Sequence, residues 1–278
     1  MARDDVGCWG ICIYSCVAQR SELLDSLKKA LYDAVAENVP EMRVGLAFSG
    51  GLDSTLLAKI CSDLGKEILL ITIGFPGSHD IEFSKQIATK LGLPQKTVEI
   101  DSTDFHDKLQ RVKKTIKCNN TSHIENCIAY LYIASAAERE NLHLVLSANG
   151  CDELFCGYNG YRLAYAGGPN ALNRLMEEKI ANEQLLVDEI ASVAKEFGVV
   201  VRQPFLTQVF IAFAKTIPFE EKITGPDDLQ RKHILRKVAL ELGIPKESAM
   251  KPKKALQYGS QIHKYFQKER KESGWNLD

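Results

Sequence analysis

Short apolar segments alternate with amphipathic segments over the first half of this chain. The apolar segments predict strands at residues 42–48, 67–74, 96–100 and 142–147. The amphipathic segments, with apolar side chains at three- and four-residue spacing, predict helices at residues 21–37, 54–64, 80–91 and 122–140. The strand at 67–74 is apolar almost throughout, as in a sheet covered on both faces. This alternation predicts an α/β fold with a doubly wound parallel sheet and right-handed crossovers.

The alternation stops after Gly168-Pro169, and the rest of the chain is predicted to be mostly helical. The helical patterns there cover residues 171–179, 183–197, 205–216 and 227–242, followed by a basic loop and a short terminal helix. We therefore predict three parts: a cysteine-containing segment at 1–20, an α/β domain at 21–165, and a helical region with the basic loop at 166–278.

Charge and composition exclude several classes of protein. The 35 Lys and Arg residues nearly balance the 36 Asp and Glu residues, so no bulk basic field indicates a dedicated nucleic-acid binder. No apolar stretch approaches the roughly 18 residues that a membrane helix needs, and the charged N-terminus is not typical of a signal peptide. Eight cysteines in 278 residues are too few for a disulfide scaffold. We expect a cytoplasmic protein with reduced thiols and no membrane partner.

The segment Ser49-Gly50-Gly51-Leu52-Asp53-Ser54 lies between a predicted strand and a predicted helix. Two glycines allow a tight turn that approaches a ligand closely, and the amides at the start of the helix attract an anion. The two serines add hydroxyl donors. Asp53 would repel a bare phosphate, so its presence indicates a bridging cation, most simply Mg²⁺. An ordinary capped turn is the alternative, which the complete motif disfavours.

A second candidate segment runs from Leu146 to Tyr158 and contains the adjacent acids Asp152 and Glu153. It follows a predicted strand, at the carboxyl edge where parallel sheets bind ligands. Asp152 could therefore face the same Mg²⁺ as Asp53. A capped turn with solvated acids is again the alternative.

Together these segments resemble known families. Residues 49–54 resemble the PP-loop of the N-type ATP pyrophosphatases. Residues 146–158 resemble the signature S-G-x-G-[AS]-D-E-[LV]-F-G-G-Y of asparagine synthetase and of the β-lactam and carbapenam synthetases. The resemblance implies an adenine nucleotide alpha hydrolase-like fold and an ATP-dependent ligase. ATP would be split between its α- and β-phosphates, the substrate adenylated, and AMP displaced by ammonia or another nucleophile.

The resemblance also implies a set of site residues. ATP would contact Ala47, Ser49, Gly50, Gly51, Asp53, Ser54, Ile73, Ser147 and Gly150, with Mg²⁺ on Asp53 and Asp152. The implied catalytic residues are Lys232, Lys254, Asp152 and Glu153. Lys232 begins a K-x-x-L-R pattern, and Lys254 lies in a basic loop at 251–260 where Lys251 or Lys253 could take its place.

Two departures from the family pattern concern the nucleophile. Position 2 is Ala where the family's glutaminase domain has a catalytic cysteine, and only about 40 residues precede the PP-loop. We therefore expect no glutaminase domain, and free ammonia or a separate glutaminase subunit as the nitrogen source. Asn149 stands where asparagine synthetase has a glutamate, and an amide cannot act as a base. His123 or Glu125 could serve instead, although an ordinary capping role is the simpler interpretation.

The cysteines leave other functions open. Cys8, Cys12 and Cys16 would share one helix face, where they could pack or hold an iron–sulfur cluster. Cys151 and Cys156 flank the predicted site and could support sulfur transfer to tRNA or a small molecule, with a sulfur-donor subunit. A non-catalytic nucleotide-binding subunit is a third alternative. We expect the chain to form a homo-oligomer.

Overall fold

Five parallel strands form one sheet in the order β3-β2-β1-β4-β5. The computed structural model describes the backbone of residues 7–273 and the side chains of residues 20–272. The strands are β1 (Arg43–Ala47), β2 (Glu67–Gly74), β3 (Gln95–Glu99), β4 (Leu144–Leu146) and β5 (Val200–Arg202). The predicted doubly wound α/β fold is confirmed.

Helices connect the strands and cover the sheet. Up to β4 they are α1 (Gly7–Asn38), α2 (Leu52–Asp63), α3 (His79–Leu91), α4 (Phe105–Thr115) and α5 (Thr121–Arg139). After β4 they are α6 (Cys151–Leu154), α7 (Asn159–Ala164), α8 (Gly168–Ala194), α9 (Gln208–Thr216), α10 (His233–Glu241), α11 (Lys246–Ala249), α12 (Leu256–Gly259) and α13 (Ile262–Ser273). Within residues 7–273, none of these helices combines the length and apolar character needed to cross a membrane.

Two apolar clusters hold the sheet between its helical layers. One packs α1, α2 and α10 against the sheet, with Leu31, Leu56 and Leu235 fully buried. The other packs α4, α5 and the end of α8, with Ile128 and Ile190 fully buried. Both faces of β1 and β2 are therefore covered, which is why β2 is apolar along most of its length.

The structure corrects four details of the sequence prediction. Helix α8 is continuous from Gly168 to Ala194, where the pattern predicted two helices. Strand β5 was not predicted; it pairs with β4 in a region that was expected to be helical. Helix α10 begins at His233 rather than at residue 227, because Arg231 and Lys232 adopt left-handed backbone conformations. Helix α4 was also missed.

Candidate active site

A cavity of about 600 Å³ opens at the carboxyl ends of β1, β2 and β4. Seven of the nine predicted nucleotide-binding residues line it: Ala47, Ser49, Gly51, Asp53, Ser54, Ile73 and Ser147. Gly50 and Gly150 are not among the lining residues, and both instead form turns with positive φ beside the cavity. The strand ends thus gather most of the residues that the sequence singled out.

The turn between β1 and α2 requires glycine at position 50. Gly50 has φ +70°, and a Cβ there would lie 3.0 Å from the Phe83 ring and 3.1 Å from the Ser84 Cα. The next residue, Gly51, caps α2, and Ser54 Oγ donates to its carbonyl oxygen over 3.3 Å. The N-terminus of a 12-residue helix therefore faces the cavity, where its free amides suit an anion.

A buried lysine joins the two predicted metal-binding aspartates. Lys232 Nζ lies 2.6 Å from Asp53 Oδ2 and 2.6 Å from Asp152 Oδ1. Burial disfavours the charged lysine, but the two carboxylates outweigh it and raise the pKa of Lys232. Burial likewise works to raise the pKa of Asp152, but Lys232 and Lys253 outweigh it and hold that pKa well below its usual range. Lys232 and Asp152 are therefore both held in their charged forms.

The two aspartates also fit a magnesium ion. Asp53 Oδ1 is buried and has no hydrogen-bond partner among the described residues. A carboxylate oxygen in that position is a ligand that Mg²⁺ accepts, together with water and phosphate oxygens. Asp53 and Asp152 are thus the residues that would hold the ion, beside the helix N-terminus where a polyphosphate would lie.

The basic loop closes one side of the cavity. Lys253 forms an ion pair with Asp152. Lys251 Nζ lies 4.0 Å from the buried Asp80 and 3.7 Å from the centre of the Phe83 ring. Lys254, the lysine favoured from the sequence, is exposed and lines the cavity but forms no ion pair within the described residues. Of the three loop lysines, Lys253 is the one nearest the carboxylates.

Glu153 lines the cavity and also supports the turn at Gly150. Its Oε2 accepts from the Gly150 amide over 3.0 Å, and its Oε1 accepts from the Tyr158 hydroxyl. Burial, with the nearby charges of Glu183 and Asp152, raises the pKa of Glu153 to about 8. This carboxyl is therefore largely protonated at neutral pH in the folded protein.

The raised pKa of Glu153 predicts a pH effect on stability. The folded protein holds this proton up to about pH 8, whereas the unfolded chain releases it near the ordinary glutamate pKa of 4.5. Stability from this group is complete below pH 4.5 and declines as pH rises through 8. We expect Glu153→Gln to flatten the fall of the melting temperature between these pH values, measured against wild type by differential scanning fluorimetry. An identical slope in both proteins would contradict the assignment.

A second buried acid, Glu183, was missed by the sequence analysis. It lies on α8, is 5% exposed, and accepts a hydrogen bond from the Asn149 side-chain amide. Burial and the charge of Asp152 raise its pKa, against the opposing hydrogen bond from Asn149. A signal was present: Glu183 interrupts the buried apolar stripe formed by Met176, Ile180 and Leu186. An acid in such a stripe indicates a functional position.

The two alternative bases, His123 and Glu125, lie in different places relative to the cavity. His123 is buried in the cavity wall, where its Nε2 lies 3.2 Å from Asn182 Oδ1. Glu125 does not line the cavity; it is 1% exposed and pairs with His263 of α13 at 2.7 Å. Of these two residues only His123 could touch a ligand.

The cysteines near the cavity are unsuited to sulfur chemistry. Cys151 and Cys156 are both fully buried. Burial raises the pKa of the Cys156 thiol to about 12 and raises that of Cys151 well above its usual value. Thiols in this state are weak nucleophiles. The predicted iron–sulfur ligands Cys8, Cys12 and Cys16 belong to the N-terminal part of α1, and their side chains lie outside the described residues.

The sheet edge, the glycine turn and the lysine-bridged aspartates define an α/β protein whose cavity has the features that suit an anionic ligand. The chain belongs to the asparagine synthase family, whose model matches residues 26–192 and 173–276.

Individual relatives are similar over most of this chain. It is 29% identical to a Methanocaldococcus jannaschii protein named as a glutamine-hydrolysing asparagine synthetase 1, over 92% of this chain and 53% of that protein. It is 25% identical to asparagine synthetase B of Escherichia coli, over 87% of this chain and 45% of that protein. The chain thus spans about half the length of the curated relatives it matches. Among solved structures, NMN synthetase from Francisella tularensis aligns over 93% of this chain and 88% of its own, with 15% identity and a TM-score of 0.44.

Proposed function

We propose that this protein is an ATP-dependent ligase that adenylates a carboxylate, releases pyrophosphate and forms an amide by attack of ammonia. The observation that carries the proposal is the contact of one buried lysine with Asp53 and Asp152 at 2.6 Å each, beside the glycine turn. Membership of the asparagine synthase family supports ligase chemistry that uses ATP.

The residues of the cavity have separate roles in the first half-reaction. The α2 N-terminus and the hydroxyls of Ser49 and Ser54 would bind the polyphosphate. Magnesium on the two aspartates would neutralise phosphate charge. Lys232 and Lys253 would turn from the aspartates to the departing pyrophosphate, and their ammonium groups would stabilise the charge that develops there. The apolar wall of Ala47 and Ile73 would take the adenine.

Glu183 is the base that we propose for the second half-reaction. Ammonia would attack the acyl carbon of the adenylate and form a C–N bond. A proton would pass from nitrogen to the Glu183 carboxylate, and AMP would leave with the electron pair of its bond to carbon. Asn149 cannot accept this proton, but its amide holds the Glu183 carboxylate in place. The acid missing from position 149 is thus supplied by α8.

The role of Glu183 predicts a separation of the two half-reactions. Glu183→Gln should keep exchange of labelled pyrophosphate into ATP, because adenylation does not need this base. Amide formation should fall by about 10²–10⁴-fold. Glu177→Gln, an exposed change on the same helix, should alter neither rate and serves as the control. Equal loss of both half-reactions in Glu183→Gln would contradict the assignment.

The overall reaction is tested by substrate screening. Purified protein is incubated with ATP, Mg²⁺, ammonium and single amino acids, beginning with aspartate. Pyrophosphate release is followed, and products are identified by mass spectrometry. We expect one carboxylate to stimulate release and to appear as its amide in equal amount. If no carboxylate does so, and sulfide yields a thiolated product instead, the proposed function is wrong.

A further inference from the structure

Three side chains with metal-binding atoms meet behind the cavity wall. Cys118 lies in the loop between α4 and α5, His123 in the first turn of α5, and Glu189 near the end of α8. Their donor atoms all lie within 4.8 Å of one another. His123 is 3% exposed, whereas Cys118 is partly exposed and accessible from solvent. None of the three has a role in the ligase reaction proposed above.

The two ring nitrogens of His123 have different neighbours. Its Nε2 lies 3.2 Å from Asn182 Oδ1, and since that oxygen only accepts, Nε2 carries the proton. In the neutral ring Nδ1 is then a bare acceptor, yet it lies 2.7 Å from Glu189 Oε2, which is also an acceptor. A proton on Nδ1 would satisfy this contact, and so would a metal ion held by both atoms.

The cysteine favours the metal ion. A proton would serve the histidine and the glutamate alone, but Cys118 Sγ also converges on Nδ1, at 3.9 Å. The same sulfur accepts the Asn120 amide over 3.3 Å, which fixes its position beside the histidine. Donor atoms around tetrahedral zinc are separated by about 3.3–3.6 Å. The observed separations of 2.7 and 3.9 Å bracket this range, so small side-chain shifts would complete the geometry.

We propose that Cys118, His123 and Glu189 form a zinc site with a fourth position open to water. A thiolate, an imidazole nitrogen and a carboxylate oxygen are all ligands that zinc takes in proteins. Asn182 acts as the outer partner that orients the histidine ring, as in other zinc sites. The ion would tie the α4–α5 loop to α8. Because Asn120, Ser122 and His123 also line the cavity, the bound ion would fix one side of its mouth.

The site is tested by metal binding, independently of ligase activity. The full chain is stripped with a chelator and titrated with zinc, and cobalt(II) is then used as a spectroscopic substitute. We expect one zinc ion per chain at this site and a higher melting temperature in its presence. Cobalt should give a thiolate charge-transfer band and intense tetrahedral ligand-field bands. Cys118→Ser should abolish the charge-transfer band and weaken zinc binding by at least about 100-fold.

Matched variants test whether other cysteines bind the zinc instead. Zinc binding and the cobalt charge-transfer band should persist when Cys8, Cys12 and Cys16 are all changed to serine, and also in Cys61→Ala, a buried cysteine of α2. Glu189→Gln, which keeps the size of the side chain, should weaken binding without unfolding the protein. Zinc binding that survives in Cys118→Ser but is lost in the triple variant would overturn the proposal. Absence of stoichiometric binding to the stripped wild type would also overturn it.

Discussion

Changing Asp53 to asparagine is expected to reduce pyrophosphate release from ATP by at least about 10²–10³-fold. The substitution keeps the shape of the side chain but removes the negative charge that Lys232 contacts at 2.6 Å. It also replaces a carboxylate whose Oδ1 is buried and unpartnered, the atom best placed to accept a magnesium ion. With one ligand neutral, magnesium binding weakens and the polyphosphate loses the charge that positions it.

The measurement is a coupled pyrophosphate assay over a range of magnesium concentrations. Asp63→Asn is the matched control, because Asp63 is on the same helix but pairs with Lys59 at its far end. The control should retain wild-type rates. If Asp53→Asn released pyrophosphate at the wild-type rate and needed no more magnesium, Asp53 would not be a metal ligand.

Changing Lys232 to methionine should lower both pyrophosphate release and stability, and magnesium should restore part of the stability only. Pyrophosphate release should fall by about 10²–10³-fold, because the buried ammonium that stabilises the leaving group is lost. Without magnesium the variant should also be less stable by about 3 kcal/mol, since the buried Asp152 and the half-buried Asp53 lose their shared cation. Magnesium should restore part of this stability by binding between Asp53 and Asp152, but it should not restore activity.

Thermal unfolding with and without magnesium checks this expectation. The rise in melting temperature on adding magnesium should be larger in Lys232→Met than in wild type, where the lysine already neutralises the carboxylates. Lys237→Met removes a lysine one turn further along α10 that pairs with Glu221, and it should respond as wild type does. No magnesium response in Lys232→Met would show that the two aspartates do not share an ion.

Strands with long apolar runs were predictable from the sequence, whereas the short edge strand β5 was not. Strand β2 is a long apolar run, and its predicted bounds agree with the structure. Strand β5 has three residues, too few for a periodic signal, and it takes its place only by pairing with β4. Helix α4 carried a detectable signal in the spacing of Phe105, Leu109 and Val112. The missed elements were therefore short, or polar between their apolar positions.

The site residues likewise fall into two groups: those that local motifs predicted and those that only the fold brings together. Local motifs located the glycine turn and the two aspartates, because each motif has a fixed relation to its strand end. The partner of Asn149 could not be found in this way, because Glu183 is 34 residues further along the chain and meets it only through the path of α8. Likewise, no local pattern distinguished Lys253 from Lys254, since the contact with Asp152 depends on the path of the basic loop.

The position at which ATP is cleaved tests the central claim most directly. The reaction mixture contains ATP, Mg²⁺, ammonium and the carboxylate that the protein converts to its amide. It is quenched, and its phosphorus-containing products are separated and quantified by ³¹P NMR. A glycine turn with two carboxylates and two lysines around the β- and γ-phosphates should give AMP and pyrophosphate in equal amounts. ADP and orthophosphate as the products would contradict the assignment of this site.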